Sequence, residues 1–434
     1  GQTIASVAAE DGASYYVRLV SYVPGKPLGT VGPHSPELLT DIGKLFGRIT
    51  VALHDFDHPS ARREFDWDLR QSRAVVERYA SLLSEAKQGV VARCLAHFDS
   101  AIVPLMDALP QSVIHGDGNE YNVLVEADGW SLRVSGVIDY GDLVYSWTVG
   151  ELAIAAAYAM LDKRDPLTAA AHVTRGFHAV CQLNQGEADV LYGLIRLRLC
   201  TSMVMAARQR AAAPENDYLE VSQESVWALL QQLDRVPPAL ATGILRHACG
   251  MPPAPAADRV LSWLAPQRDS FHPVTDADLH SRNQLLIDLS MASPLLTVHP
   301  TTLPPGELTR LIEAEMAAHG KATAIGPYGE ARFVYDCAPF FDAAEELPER
   351  RTRHLGIDIF QASGSPVYAP LAGTVHSLAN HAAPLDYGPT VILQHATSDG
   401  TPFYTLYGHL GRESLARLTV GQSVVAGQQI GVIG

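Results

Sequence analysis

Residues 113–142 read VIHGDGNEYNVLVEADGWSLRVSGVIDYGD, and this stretch decides how the rest of the chain is understood. Apolar runs at Val113–Ile114, Val123–Val125 and Leu132–Ile138 predict strands, and Asp128-Gly129 predicts the turn of a hairpin between the last two. The loops at 115–122 and from Asp139 onward are polar. Asp117, Asn122 and Asp139 therefore stand at strand ends, with four residues between Asp117 and Asn122. A carboxylate in reach of an alcohol orients it and accepts its proton. An amide oxygen and a second carboxylate are the hard ligands that Mg²⁺ prefers, and they can tie the metal to nucleotide phosphates. His115 is expected to hold the loop through ring hydrogen bonds and not to act as a base. Asp142 is expected to cap the next helix, in preference to serving as a partner of the site.

Working outward, 434 residues suggest two to three domains. A hydrophobic content of 47% with 18% charged residues allows a sizeable core. A formal charge of -15 without a run of Lys or Arg disfavours a nucleic-acid partner and favours small-molecule chemistry. The five cysteines, Cys94, Cys181, Cys200, Cys249 and Cys337, are odd in number and lack a CxxC pair. That pattern points to reduced thiols and a cytoplasmic protein. No apolar run reaches the length of a membrane span and no signal peptide is evident, so no membrane partner is expected. Gly1 and the strand-like GQQIGVIG ending at Gly434 look abrupt, so the chain is expected to be a fragment of a longer protein.

Upstream, the segments 3–7 and 15–22 flank Glu10-Asp11-Gly12 as a hairpin, and Pro24-Gly25-Lys26-Pro27 breaks the second strand. Helical spacing of Leu38, Leu39, Ile42, Leu45, Phe46, Ile49 and Leu53 predicts a helix from Pro36 to His54, capped by Ser35. Further helices are expected within 68–84 and 87–108. Downstream, 152–161 is apolar nearly all round and reads as a buried helix. Met203 and Met205 read as core, whereas Tyr218 and Glu215 in PENDYLE read either as an edge of a substrate site or as a helix start.

HGDGNEYN followed by GVIDYGD resembles the aminoglycoside phosphotransferase and choline kinase superfamily, which shares the protein-kinase fold. SWTVGELAIAAAYAML and the stretch from Arg196 to Leu233 narrow the resemblance to the hydroxylysine kinases, over about residues 1–235. The resemblance implies that Asp117 is the catalytic base, and that Asn122 and Asp139 hold Mg²⁺ with ATP or GTP. It also places backbone groups of Ser21, Tyr22 and Val23 at a hinge facing the nucleotide base. The family's glycine-rich loop, phosphate-holding lysine and glutamate partner have no counterpart in these residues, so the kinase module is expected to be incomplete, and inactive alone.

VPPALATG and MPPAPAADR mark a domain boundary or linker, with helices expected at 257–264 and 308–319 and no chemistry assigned between them. The last hundred or so residues alternate β-prone runs with Gly, Pro and Asp turns. His354 and Asp358 stand four apart in HLGID, and His409 lies in LYGHL. An imidazole and a carboxylate so spaced suit Zn²⁺, provided that a third protein ligand joins them. This segment resembles the M23 (LytM-type) metallopeptidases over about 325–434, which implies His354 and Asp358 as zinc ligands and His409 as a catalytic histidine. The H-x-H motif that supplies the remaining ligand in that family is not among these residues, and zinc is expected to be held weakly if at all.

The expected architecture is α+β. It comprises a kinase N-lobe remnant and hinge (1–30), a mostly helical kinase-like C-lobe (31–235), a helical linker region (236–324) and a β-rich M23-like domain (325–434). The leading expectation is transfer of a γ-phosphate to the hydroxyl of a small amino alcohol. A zinc peptidase and a non-catalytic scaffold are the alternatives. The resemblance also implies a possible class III aminotransferase-like domain further along the parent polypeptide.

Overall fold

The computed structural model describes residues 4–9, 12–212, 223–279, 284–304, 306–333, 352–383 and 386–434. Glu10, Asp11, Glu215, Tyr218 and Cys337, named above, lie outside the described residues. The chain divides into two compact units, Gly1–Pro255 and Ala256–Gly434.

The first unit opens with the expected hairpin, β1 (Ala5–Ala8) against β2 (Ser14–Val17), paired from Ala5↔Val17 to Ala8↔Ser14. The second strand stops well before Tyr22. A short β3 (Lys26–Pro27) follows and leads to α1 (Pro36–Leu53), whose Ser35 cap accepts from the Leu38 amide at 3.2 Å. Next come α2 (Leu69–Tyr79), capped by Asp68, and α3 (Glu85–His97), which runs on through irregular helical turns to Ala108.

The central stretch forms β4 (Gln111–Ile114), β5 (Val123–Asp128), β6 (Ser131–Val137) and β7 (Val144–Trp147). Strands β5 and β6 make the expected hairpin, with β3 on the other edge of β5, and β4 pairs antiparallel with β7. The remaining helices are α4 (Val149–Ala159), α5 (Pro166–His178), α6 (Gln185–Ala212), α7 (Gln223–Asp234) and α8 (Pro238–Ala248).

Every residue of α4 is buried, as its all-round apolar sequence requires, and Met203 and Met205 of α6 lie in the core. Glycines let α1 and α5 cross closely. A Cβ on Gly43 would stand 1.9 Å from the Val173 carbonyl oxygen, and one on Gly176 would stand 1.9 Å from that of Thr40. Two helical stretches, 85–108 and 185–212, are long and apolar enough to cross a membrane by those criteria alone, although no uninterrupted apolar run signalled them. In α6 the apolar window is 89% buried, which is how a core helix behaves.

Helix α8 packs on α5 and α6, so the Pro-rich stretch just after Arg235 belongs to the first unit and is not a linker. Its Arg246 donates to the Pro252 carbonyl and to Asp189, tying the following turn to α6. The second unit begins near α9 (Pro255–Leu264) and includes β8 (Leu285–Leu286), α10 (Glu307–Ala318), β9 (Ala324–Gly326) and β10 (Asp358–Phe360). Ile287, Leu289, Ile312, Met316 and Ala324 form a small core of their own.

The β-rich part adds β11 (Pro366–Tyr368), β12 (Gly373–His381), β13 (Gly388–Ala396), β14 (Pro402–Tyr407), β15 (Ser423–Val424) and β16 (Gln429–Val432). A four-stranded sheet has the order β14-β13-β12-β15, and β11 pairs with β16. Its core is built from alternating inward residues such as Val375, Val391, Leu393 and Val424.

Candidate functional site

The pairing of β4 with β7 and the β5–β6 hairpin bring the loop at 115–122 against the turn at 139–142. Asn122 seals the join, because its carbonyl accepts from the Ile138 amide at 3.0 Å. His115 is fully buried beneath it: its Nε2 contacts the Ile138 carbonyl at 3.0 Å, and its Nδ1 accepts from the Asp117 amide at 3.3 Å. Burial lowers the His115 pKa, while the nearby carboxylates of Asp117, Asp139 and Asp142 oppose that shift. With one ring nitrogen accepting, the other must donate, so the imidazole is neutral and acts as the structural clasp expected of it.

Asp117 and Asn122 are brought together directly. Asn122 Nδ2 donates to Asp117 Oδ2 at 2.7 Å and to the Asp117 carbonyl at 2.9 Å, and Asn119 Nδ2 donates to the same Oδ2 at 3.0 Å. The amide nitrogen of Asn122 is thereby committed and its oxygen is left as the side chain's acceptor. Asp139 adopts φ 59°, a left-handed conformation rare for a residue with a Cβ, and its carboxylate accepts from the Gly141 amide at 3.2 Å. The loop packs closely on α1 at Gly118, where a Cβ would stand 2.6 Å from the Phe46 ring.

Asp142 corrects an expectation. Helix α4 starts at Val149 with Thr148 preceding it, whereas Asp142 ends a short 3-10 turn beside the site. Burial, followed by the charge of Asp117, raises its pKa, and Arg63 at 3.9 Å offsets part of that. Ser21 and Tyr22, expected at a hinge, are exposed and outside any strand. The segment is nonetheless pinned to β6: Ser135 Oγ donates to the Pro24 carbonyl at 2.6 Å, and Val23 sits where a Cβ on Gly136 would be, 2.7 Å away.

Two buried charges were missed in the sequence. Arg198 of α6 donates through Nη2 to Asp117 Oδ1 at 3.2 Å and through Nη1 to the Trp67 carbonyl at 3.1 Å. Its guanidinium lies over the Trp67 ring at 4.6 Å and the Tyr158 ring at 5.5 Å. Glu151, in the first turn of α4, accepts from the His115 amide at 2.5 Å. Burial raises its pKa to about 7. The available signal was a charge inside an otherwise apolar helix, in RLRLC and in GELAIAAA.

In the second unit His354 Nε2 lies 3.6 Å from Asp358 Oδ1, a separation that a shared cation can bridge. Asp358 Oδ2 accepts from Arg332 Nη2 at 2.5 Å, and Arg332 also holds Glu330 at 2.6 Å. Burial lowers the His354 pKa, which keeps the ring available as a ligand. His409 is within electrostatic reach of His354 and has φ 54°. Among the described residues no group of three or more His, Cys, Asp or Glu is placed to hold a metal. Zinc sites use three or four protein ligands, so His354 and Asp358 by themselves supply only part of one.

With the 115–122 loop set against the 139–142 turn, comparison with known proteins shows what this part of the chain is similar to. Residues 2–180 match the model of the Phosphotransferase enzyme family, and residues 352–434 match that of Peptidase family M23. Among individual proteins, the chain is 32% identical to the hydroxylysine kinase of Mus musculus over 245 residues, covering 53% of this chain and 65% of that protein. It is 33% identical to that of Xenopus laevis over 230 residues, covering 50% of this chain and 61% of that protein. The chain thus spans somewhat under two thirds of the length of these relatives.

Partial structural matches include a microcompartment-associated aminopropanol kinase, with TM-score 0.41, 14% identity and coverage of 57% of this chain and 74% of that one. A choline/ethanolamine kinase family protein from Mesorhizobium loti matches with TM-score 0.37, 14% identity and coverage of 56% and 78%.

Proposed function

We propose that the first unit transfers the γ-phosphoryl group of ATP or GTP to the hydroxyl of a small amino alcohol, with hydroxylysine as the leading acceptor. The observation that carries this reading is the division of labour at the loop. Asn122 spends its amide nitrogen on Asp117 and keeps its oxygen, while Asp117 stays partly exposed. Asp117 orients the acceptor hydroxyl and takes its proton as the oxygen attacks the γ-phosphorus and the bond to the β-phosphate oxygen breaks. The Asn122 oxygen and the Asp139 carboxylate suit Mg²⁺, which would neutralise charge on the phosphates. Ser21 to Val23, which lead into the Val23 and Pro24 contacts with β6, would face the nucleotide base. Use of a nucleotide donor supports a cytoplasmic location.

The test is nucleoside diphosphate release from Mg²⁺-ATP and Mg²⁺-GTP with hydroxylysine, ethanolamine, choline and an aminoglycoside. The assayed protein carries these residues together with the family's glycine-rich loop and phosphate-holding lysine; hydroxylysine-dependent release supports the reading, and the absence of acceptor-dependent release with all four refutes it.

A further inference from the structure

We propose that Arg198 is a positioning residue that fixes the Asp117 carboxylate so that Oδ1 is the oxygen presented to the acceptor hydroxyl. The proposal rests on the phosphotransfer reading above and specifies its geometry. A carboxylate oxygen has two lone pairs. Asp117 Oδ2 already accepts from both Asn119 and Asn122, at 3.0 and 2.7 Å, and is saturated. Oδ1 accepts from Arg198 at 3.2 Å and keeps one lone pair for a further donor. The side chain of Asp117 is 20% exposed while that of Arg198 is 2% exposed, so the open lone pair is the one that solvent or an acceptor reaches.

The direction of that lone pair is set by how Arg198 is held. Its Nη1 is committed to the Trp67 carbonyl, and Trp67 and Tyr158 lie against the guanidinium plane. Its Nε is buried without a partner. Burying a guanidinium costs several kcal/mol, and it cannot shed its proton to escape that cost. An apolar side chain would fill α6 at lower cost, so the charge is retained for what it touches, the Asp117 carboxylate. A lysine at 198 carries the charge but lacks the planar fork that serves the Trp67 carbonyl, the carboxylate and the two rings together.

The experiment compares Arg198→Met and Arg198→Lys with the wild-type chain by crystal structure and by kinetics. In the structure of Arg198→Met the Asp117 carboxylate is expected to rotate, with Oδ1 leaving its present position. An unmoved carboxylate overturns the proposal whether or not any acceptor is turned over. In kinetics, Arg198→Met is expected to lower kcat by about 100-fold, the loss typical of displacing a reacting group by about 1 Å, while nucleotide KM changes less than threefold. Arg198→Lys is expected to recover at least a tenth of the wild-type kcat. Equal kcat per folded molecule in all three overturns the proposal. If Arg198→Met does not fold, Arg198→Lys decides: wild-type kcat with an unmoved carboxylate counts against the planar fork, and a partial loss with a shifted carboxylate supports it. Inactivity on every acceptor of a protein that carries these residues together with the glycine-rich loop and phosphate-holding lysine sinks the phosphotransfer reading, and the crystallographic comparison on the present chain still decides the positioning role.

Discussion

Glu151→Gln tests how the catalytic loop is anchored. Glu151 is fully buried at the start of α4, and its carboxylate accepts from the His115 amide and faces the Gly116 amide. Burial raises its pKa from 4.5 to about 7, with the charge of Asp117 adding to the shift and that of Arg198 opposing it. In the unfolded chain this group has its ordinary value, so between pH 4.5 and about 7 the folded state holds a proton that the unfolded state has released. Stability must therefore fall as pH rises through that window. At about 1.4 kcal/mol per pH unit, the whole effect is about 3 kcal/mol. Glutamine keeps an oxygen for the His115 amide and carries no proton to lose. The advantage of the variant over wild type should grow by about 2 to 3 kcal/mol between pH 4.5 and pH 8. Urea unfolding followed by tryptophan fluorescence measures it, since Trp67, Trp130, Trp147 and Trp227 all lie in the first unit. A difference that stays constant within about 0.5 kcal/mol across this range would show that Glu151 is not the proton-linked group.

Three other substitutions and one metal-binding measurement test further parts. In the full-length protein, Asp117→Asn should lower acceptor-dependent turnover by at least about 100-fold while calorimetric nucleotide affinity stays within a few fold; near-normal turnover removes Asp117 from the chemistry. Asn122→Ala should raise the Mg²⁺ concentration needed for half-maximal turnover, because the oxygen left free beside Asp117 is lost. Gly176→Ala should cost about 3 kcal/mol of stability, read by thermal unfolding, since its Cβ would meet the Thr40 carbonyl at 1.9 Å and force α1 from α5. Equilibrium dialysis should find no stoichiometric zinc on this chain at micromolar metal, because His354 and Asp358 alone fall short of the three or four protein ligands that such sites use.

The parts of the site that were legible in the sequence are those whose geometry is local. The spacing of Asp117 and Asn122 places both on one loop, and the Asp128-Gly129 turn returns Asp139 beside them, as β5 and β6 do. Ser35 before Pro36 marked the start of α1 because capping is a matter of a few adjacent residues. Asp142 was misread for the opposite reason. An acidic residue ahead of an apolar run has the signature of a cap, but β7 intervenes before α4 and leaves Asp142 near Asp117. The Pro-rich stretch after Arg235 misled in the same way: its composition suits a linker, and only the fit of α8 against α5 and α6 assigns it to the first unit.

Arg196 and Arg198 show what a pattern rule could have recovered. Two residues apart on a helix, they point about 200° apart, so a helix with one wet face could expose at most one of them. In α6 both are buried among leucines, and each must then find its own carboxylate. Arg196 takes Asp234 at 3.1 Å, a partner at the end of α7 that secures packing. Arg198 takes Asp117, at a loop that its helix meets only in the folded state. The two arginines look alike in sequence, and what separates a packing role from a place beside the chemistry is the identity of the acid at the other end. A charge in an apolar helix therefore announces that a partner exists, and the fold supplies its address.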